Sequence, residues 1–219
     1  MKLKDKVINN FQLHPIGIGT WMMGGGVWKE IKTSFADYSY DKESIEAIKY
    51  SISKGQNHID GAQFYGAGHT DEIIGEAIKG FDRSKLFLAS KIWKSYALRN
   101  AVVPATKDIL KKMQTDYLDL LYIHAPFPEV PMKEYILGLN DAVDLGLIKN
   151  IGVSNFNLDQ LKQAMVISKY PIAANQLRYN VLYKTDANSE MIEFCNKNNI
   201  MIVSYRPIER RLLTKLQMK

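Results

Sequence analysis

The chain has 219 residues, 46% of them apolar and 24% charged, the balance of an ordinary globular protein. That length suits one domain, no stretch reaches the roughly 18 consecutive apolar residues of a membrane span, and a lone cysteine, Cys195, excludes an internal disulfide framework or a Cys-rich zinc site. Lys and Arg number 29 against 23 Asp and Glu, a formal net charge of +6, but the basic residues are scattered and read as a solvated surface.

The N-terminal MKLKDKVINN is basic without the apolar run of a secretory signal, so a cytoplasmic location is expected. The first predicted strand is Pro15–Trp21, followed by the glycine cluster Gly24-Gly25-Gly26. That cluster lacks the G-x-G-x-x-G spacing of a dinucleotide-binding turn and reads as an irregular loop. Trp28, in the same loop, either overhangs a pocket or covers the top of the fold. Asp41 is a plausible N-cap for a helix that places Ile45, Ile48 and Ile52 on one face.

Six further strands are predicted in Asn57–Asp60, Leu86–Lys91, Tyr117–His124, Asn150–Asn155, Ile172–Gln176 and Ile200–Tyr205. Amphipathic stretches separate them at the spacing of successive βα units. Gly146 is expected to close the helix that starts near Pro131, and Asn157 with Gln160 has the spacing of a capping box. Strand and helix alternate with no all-α or all-β block, so residues 1–219 read as one α/β domain with a parallel sheet.

An open doubly wound sheet and a (β/α)8 barrel compete for this pattern. Asp60, Lys91, His124, Asn155, Gln176 and Tyr205 each end a different apolar strand. A parallel barrel gathers all such ends on one rim, where its active site is built, and this favours the barrel. Tyr65 follows Asp60 in a loop that would fold back over that rim. A phenol has a reference pKa of about 10, and a neighbouring ammonium stabilises its ionised form. Asp, Lys, His and Tyr on one rim suit proton transfer to a carbonyl or alkoxide oxygen. His58 reads as packing, His14 and His69 lack metal-ligand spacing, and no metal site is expected. Cys195 reads as a small buried apolar residue.

The segment His58–Ile78, HIDGAQFYGAGHTDEIIGEAI, closely resembles the signature of the aldo-keto reductase superfamily. So do Gly17–Gly25, Ala89–Trp93, Thr115–Pro126, Ile151–Phe156 and Asn175–Asn180, in the right order over nearly the whole chain. The nearest likeness is to the microbial branch. The resemblance implies a TIM-type barrel that reduces small aldehydes or ketones with NADPH, NADH being a second option. By position, Tyr65 would be the general acid, Lys91 and Asp60 would tune it, and His124 would orient the carbonyl. Ser154, Asn155 and Gln176 match binders of the nicotinamide carboxamide, Tyr205 the residue that stacks on its ring, and Gly19 and Thr20 the first strand's cofactor contacts. Trp21 and Trp93 match substrate-pocket positions, with core packing as the alternative for both.

The chain departs from that pattern near its end. Seven strands can be placed, and only RPIERRLLTKLQMK follows the seventh, so the eighth βα unit is expected to be missing. A sheet left open exposes two unpaired edges, and self-association through them is expected. Tyr205-Arg206-Pro207-Ile208 stands where the family has Tyr-Ser-Pro-Leu. Arg206, Arg210 and Arg211 read either as phosphate contacts or as an exposed basic terminus. Gly61 replaces the family's Thr after Asp60. Two alternatives stand beside the reductase: a truncated, catalytically impaired remnant lacking the grip on the cofactor's phosphates and adenosine, and nucleic-acid binding. The last rests on the +6 charge alone, with no basic-aromatic interleaving, and no nucleic-acid or membrane partner is expected.

Overall fold

The computed structural model describes residues 6–28 and 33–209, the side chains of Lys6, Val27, Trp28 and Thr33 excepted. Arg210, Arg211 and the Trp28 side chain therefore lie outside the described residues. The chain runs β1 (Lys6–Ile8), β2 (Phe11–Leu13), β3 (Ile18–Gly19), β4 (Gly25–Trp28), β5 (Thr33–Ala36), α1 (Asp41–Ser53) and β6 (His58–Asp60). It continues through α2 (His69–Ile78), β7 (Phe87–Ile92), α3 (Arg99–Met113), β8 (Leu120–Ile123) and α4 (Met132–Asp144). The last elements are β9 (Ile151–Ser154), α5 (Leu158–Ile167), β10 (Ile172–Arg178), α6 (Ser189–Lys197) and β11 (Met201–Tyr205).

Seven strands form one sheet in the order β11-β10-β9-β8-β7-β6-β3, every neighbouring pair parallel. This is a curled half-barrel, in which β3 and β11 are the two ends of the sheet. Its central strands read as continuous apolar runs because both faces are covered, and every residue of β7, β8 and β9 is buried. Leu88, Ile92, Leu121, Ile123, Ile151 and Val153 face the helices and join the larger core with Ile73, Ile109 and Leu139. Phe87, Ala89, Leu120, Tyr122 and Ala174 face inward and form a second, smaller core with Ile8 and Leu13.

Strand alternation then decides where the polar ends point. Lys91 is in phase with Phe87 and Ala89, His124 with Leu120 and Tyr122, and Gln176 with Ala174, so all three face the interior. Asp60 is in phase with His58, whose ring stands edge-on against Phe87 at 5.4 Å. His58 packs on Phe87, as expected, and also lines the cavity described below.

The β1–β2 hairpin was not anticipated. Its turn, Asn9-Asn10, takes φ of 44° and 67°, the left-handed pair of a tight hairpin. Ile8 and Leu13 carry it into the inner core, and the Asn9 amide donates to the Asn150 side chain. The glycine cluster is a correction too: Gly25 and Gly26 pair with Ala36 and Phe35 in an antiparallel β4–β5 hairpin, not an irregular loop. A Cβ on Gly25 would lie 1.9 Å from the Phe35 carbonyl oxygen, so only glycine admits that approach. The predicted first strand shrinks to Ile18–Gly19, since its one sheet neighbour is β6.

Asp41 is the first residue of α1 and not its cap; Tyr40 precedes the helix without a side-chain cap, and the Asp41 carboxylate reaches His69 instead. The capping box is present: Gln160 N–H donates to Asn157 Oδ1 at 2.9 Å, and Asn157 N–H donates to Gln160 Oε1 at 3.0 Å. Asn157→Ala is expected to cost about 1 kcal/mol, read as a lowered denaturant midpoint at unchanged slope. Gly146 follows α4 at φ 70°, the helix stop its position suggested. Cys195 is buried. Among the described residues no helix is long and apolar enough to cross a membrane.

Candidate active site

A cavity of about 650 Å³ opens along the gap between β3 and β11, from Leu13 up to the C-terminal rim. Asp60, Tyr65, His124, Ser154, Asn155, Gln176, Tyr205, Gly19 and Trp21 all line it. Lys91, Thr20 and Trp93 stand behind that wall.

Tyr65 begins a short 3-10 turn after β6, and its backbone N–H donates to the Ala62 carbonyl at 2.8 Å. The turn reverses through Gly66 and Ala67, both at φ 53°, which brings the phenol back over the rim. Lys91, 1% exposed, extends its ammonium among three oxygens. It donates to Asp60 Oδ2 at 2.6 Å, to the Gly61 carbonyl at 2.9 Å and, at the limit of a hydrogen bond, to Tyr65 Oη at 3.5 Å. Asp60 Oδ1 accepts from Gln176 Nε2 at 2.9 Å, so the carboxylate ties β6 to β10 across the sheet. Tyr65, Lys91 and Asp60 thus form one continuous polar chain.

The charges follow from burial weighed against neighbours. Burial works to neutralise Lys91, but Asp60 and Tyr65 outweigh it and hold the ammonium above its ordinary pKa. Burial pushes the Tyr65 phenol above its ordinary value, and Lys91, pulling the other way, does not overcome it. Lys91 thus acts in the expected direction, towards the ionised phenol, but burial outweighs it and the resting tyrosine keeps its proton. His124 is pushed down to about 3, first by burial and then by Lys91, so its imidazole is neutral. Its Nδ1 is buried with no hydrogen-bond partner among the described residues.

Three more predicted residues are locked together beside this chain. Ser154 Oγ donates to the Gln176 carbonyl at 2.9 Å. Asn155, at φ 62°, donates through Nδ2 to the His124 carbonyl at 2.9 Å and accepts at Oδ1 from Tyr205 Oη at 2.8 Å. Thr20 is fully buried with Oγ1 donating to the Asp60 carbonyl at 2.9 Å, which fixes β3 to β6 and turns the hydroxyl away from the cavity. Gly19 leaves open space where a Cβ would be.

Aromatic rings pack in and behind the cavity wall. Trp21 meets Tyr65 edge-on at 4.8 Å, and Trp93 meets His124 edge-on at 5.0 Å. Phe64, which the sequence did not single out, stacks on Trp93 at 4.2 Å. Its place beside Tyr65 was the one available signal. Trp93 also packs on Phe127 at 5.8 Å and against the larger core, outside the cavity lining, so its core-packing alternative describes it better than the substrate-pocket position.

Asp71 was also missed. It sits in α2 behind Gly61, its two carboxylate oxygens buried without a hydrogen-bond partner. Burial pushes it up to about 7. His69 binds two carboxylates: Nε2 to Asp41 Oδ1 and Nδ1 to Glu72 Oε2, each at 2.8 Å. Carboxylates only accept, so both ring nitrogens carry protons and His69 is an imidazolium. Burial opposes that charge, but Glu72 and Asp41 outweigh it and its pKa is raised. Among the described residues no cluster of three His, Cys, Asp or Glu could hold a metal ion.

The model of the Aldo/keto reductase family matches residues 15–219. The chain is 34% identical over 208 residues to aldo-keto reductase YhdN of Bacillus subtilis, covering 91% of this chain and 60% of that protein. It is 34% identical over 170 residues to methylglyoxal reductase DkgB of Yersinia pestis, covering 75% of this chain and 61% of that one. It therefore spans about three fifths of the length of these curated relatives. Among solved structures, the thermostable aldo-keto reductase Tm1743 in complex with the inhibitor epalrestat is similar at a TM-score of 0.90 and 38% identity, over 99% of this chain and 77% of that one. An aldo-keto reductase from Klebsiella pneumoniae in complex with NADPH is similar at 0.83 and 26% identity, over 96% of this chain and 70% of that one.

Proposed function

This chain belongs to the aldo/keto reductase family, and on that premise we propose that its cavity reduces aldehydes or ketones to alcohols with NADPH. The observation that carries the reading is the buried chain from Asp60 through Lys91 to Tyr65, with neutral His124 beside it. When bound, the dinucleotide supplies a hydride to the carbonyl carbon. Tyr65 gives its proton to the carbonyl oxygen as negative charge gathers there. The phenolate that remains is stabilised by the Lys91 ammonium, itself held charged by Asp60. His124 donates Nε2–H to the same oxygen and orients it without competing as an acid. Trp21 presents an apolar face to the cavity that helps exclude water from the reacting carbonyl, and the Phe64–Trp93 stack supports His124 from behind the wall.

The residues present fit the nicotinamide end of such a cofactor. Gly19 leaves room at β3, the Tyr205 ring is half-buried on the opposite side of the gap, and the Ser154 hydroxyl with the Asn155 and Gln176 amides supplies the donors and acceptors that a carboxamide needs. One observation favours a second reading. The side-chain amides of Asn155 and Gln176 are already engaged, with His124 and Tyr205 and with Asp60, so cofactor binding has internal hydrogen bonds to displace. A cavity that grips the cofactor too weakly would keep the fold and lose turnover.

Titration with NADPH, followed by tryptophan fluorescence and calorimetry, separates the two. The reductase reading expects saturable binding in the micromolar range, weakened by Tyr205→Ala. Binding absent even at millimolar cofactor supports the second reading.

A further inference from the structure

Arg206 follows Tyr205 at the end of β11 and lines the catalytic cavity. Among the described residues that line it, Arg206 is the one Lys or Arg side chain. Its backbone lies in the left-handed region at φ 53°. That conformation costs a residue with a Cβ roughly 1 kcal/mol, a cost glycine avoids. Two hydrogen bonds to its carbonyl hold it there, from Asn180 Nδ2 at 2.9 Å and from the Glu209 N–H at 3.0 Å. The position thus carries a long cation against its local preference.

The charge of that cation is not consumed. The nearest carboxylate, Glu209, is taken by Arg178, whose Nη2 lies 2.6 Å from Oε1 and whose Nε lies 3.2 Å from Oε2. Asn180 Nδ2 donates to Oε2 as well, at 2.7 Å. Arg206 Nη1 is left 3.8 Å from Oε1, beyond hydrogen-bond reach. Two guanidinium groups share one carboxylate, so the cluster is net positive, and the Arg206 side chain is 37% exposed. Asp60, the one carboxylate among the described residues that line the cavity, is bound by Lys91. The field of Arg206 extends to the Tyr65 hydroxyl, where it favours the ionised phenol.

We propose that Arg206 is an anion-recognition point in the catalytic cavity, holding a phosphate or carboxylate oxygen pair of the ligand that occupies it. A planar guanidinium with its hydrogen-bond fork unspent suits such a group better than a lone ammonium. Which molecule carries the anion rests on the reductase reading: the phosphate next to the nicotinamide ribose, or a carboxylate on the carbonyl substrate.

Calorimetric titration with inorganic pyrophosphate reads the anion site whatever reaction the cavity performs. The wild type is expected to bind it, Arg206→Ser to weaken binding by about tenfold or more, Arg206→Lys to fall between, and the surface variant Lys79→Ser to match the wild type. Equal affinity in wild type and Arg206→Ser, or no binding by the wild type, overturns the proposal. Two ligand pairs then identify the source. Loss in Arg206→Ser of the affinity advantage of nicotinamide mononucleotide over nicotinamide riboside assigns the anion to the cofactor. Loss of the KM advantage of carboxybenzaldehyde over benzaldehyde assigns it to the substrate. Survival of both advantages overturns the proposal. If the wild type binds neither nicotinamide compound while pyrophosphate binding still depends on Arg206, the reductase reading fails and the anion site stands.

Discussion

Tyr65→Phe is expected to lower the rate of carbonyl reduction by about a thousandfold or more, with NADPH affinity unchanged, because general-acid catalysis is worth roughly 10² to 10⁴ and the buried phenol is its one source here. The substitution keeps the ring, so the edge-on contact with Trp21 at 4.8 Å and that with His124 at 5.8 Å survive. What it removes is the Oη atom 3.5 Å from the Lys91 ammonium. Neither neighbour can replace the lost acid. His124, pushed down to about 3, offers a neutral N–H that is far weaker as a proton donor. Lys91 is held charged by Asp60 and lies behind the cavity wall. Steady-state rates with an aromatic aldehyde, beside a cofactor titration of the same variant, read both halves of the expectation. A variant that keeps most of its turnover would place the proton donor elsewhere.

Asp71→Asn is expected to stabilise the protein most at alkaline pH, with the gain shrinking as pH falls towards 4. The Asp71 carboxyl is raised from 3.8 to about 7 in the folded state by burial, and the Lys112 ammonium lowers it too little to compensate. Lys112 is spent on Asp108, 2.8 Å away, and Gly61, whose absent Cβ would lie 3.2 Å from Asp71 Oδ1, has no side chain to donate. A folded-state pKa above the unfolded value means that folding takes up a proton. Stability is therefore full below about pH 4, falls as pH rises towards 7, and stays reduced above it. The difference of about three pKa units corresponds to a penalty of up to about 4 kcal/mol at high pH. Urea denaturation of wild type and variant at pH 5 and pH 8.5 measures it. A difference between the two proteins that does not change with pH would show that Asp71 does not titrate as its burial demands.

The part of the site legible in the sequence is the part that strand periodicity controls. Lys91, His124 and Gln176 each end an apolar run, which placed them on one rim; the folded sheet adds that Lys91, in phase with the inner-core residues Phe87 and Ala89, faces inward. What the sequence withheld depended on contacts distant in the chain. Asp41 looked like a helix cap because caps are local, but its carboxylate is claimed by His69, 28 positions away. The glycine run became a hairpin because Phe35 packs against it. The proton on Tyr65 depended on a contest between burial and Lys91, and only the folded structure gives burial its weight. Asp71 carried no signal at all, since an acidic residue early in a helix is ordinary until both its oxygens are seen to be enclosed. The β1–β2 hairpin was missed although its signal is local: Asn9-Asn10 between Ile8 and Phe11 is a residue pattern that a tight left-handed turn selects.

The most direct test of the reductase site is isotopic. NADPH carrying deuterium at the transferable position of its nicotinamide ring is incubated with the chain and an aromatic aldehyde, and the alcohol is analysed by mass spectrometry. The structure predicts deuterium on the carbinol carbon of the product from wild type and almost none from Tyr65→Phe. Saturating cofactor binding with no labelled alcohol from the wild type would contradict the assignment of Asp60, Lys91, Tyr65 and His124 to carbonyl reduction.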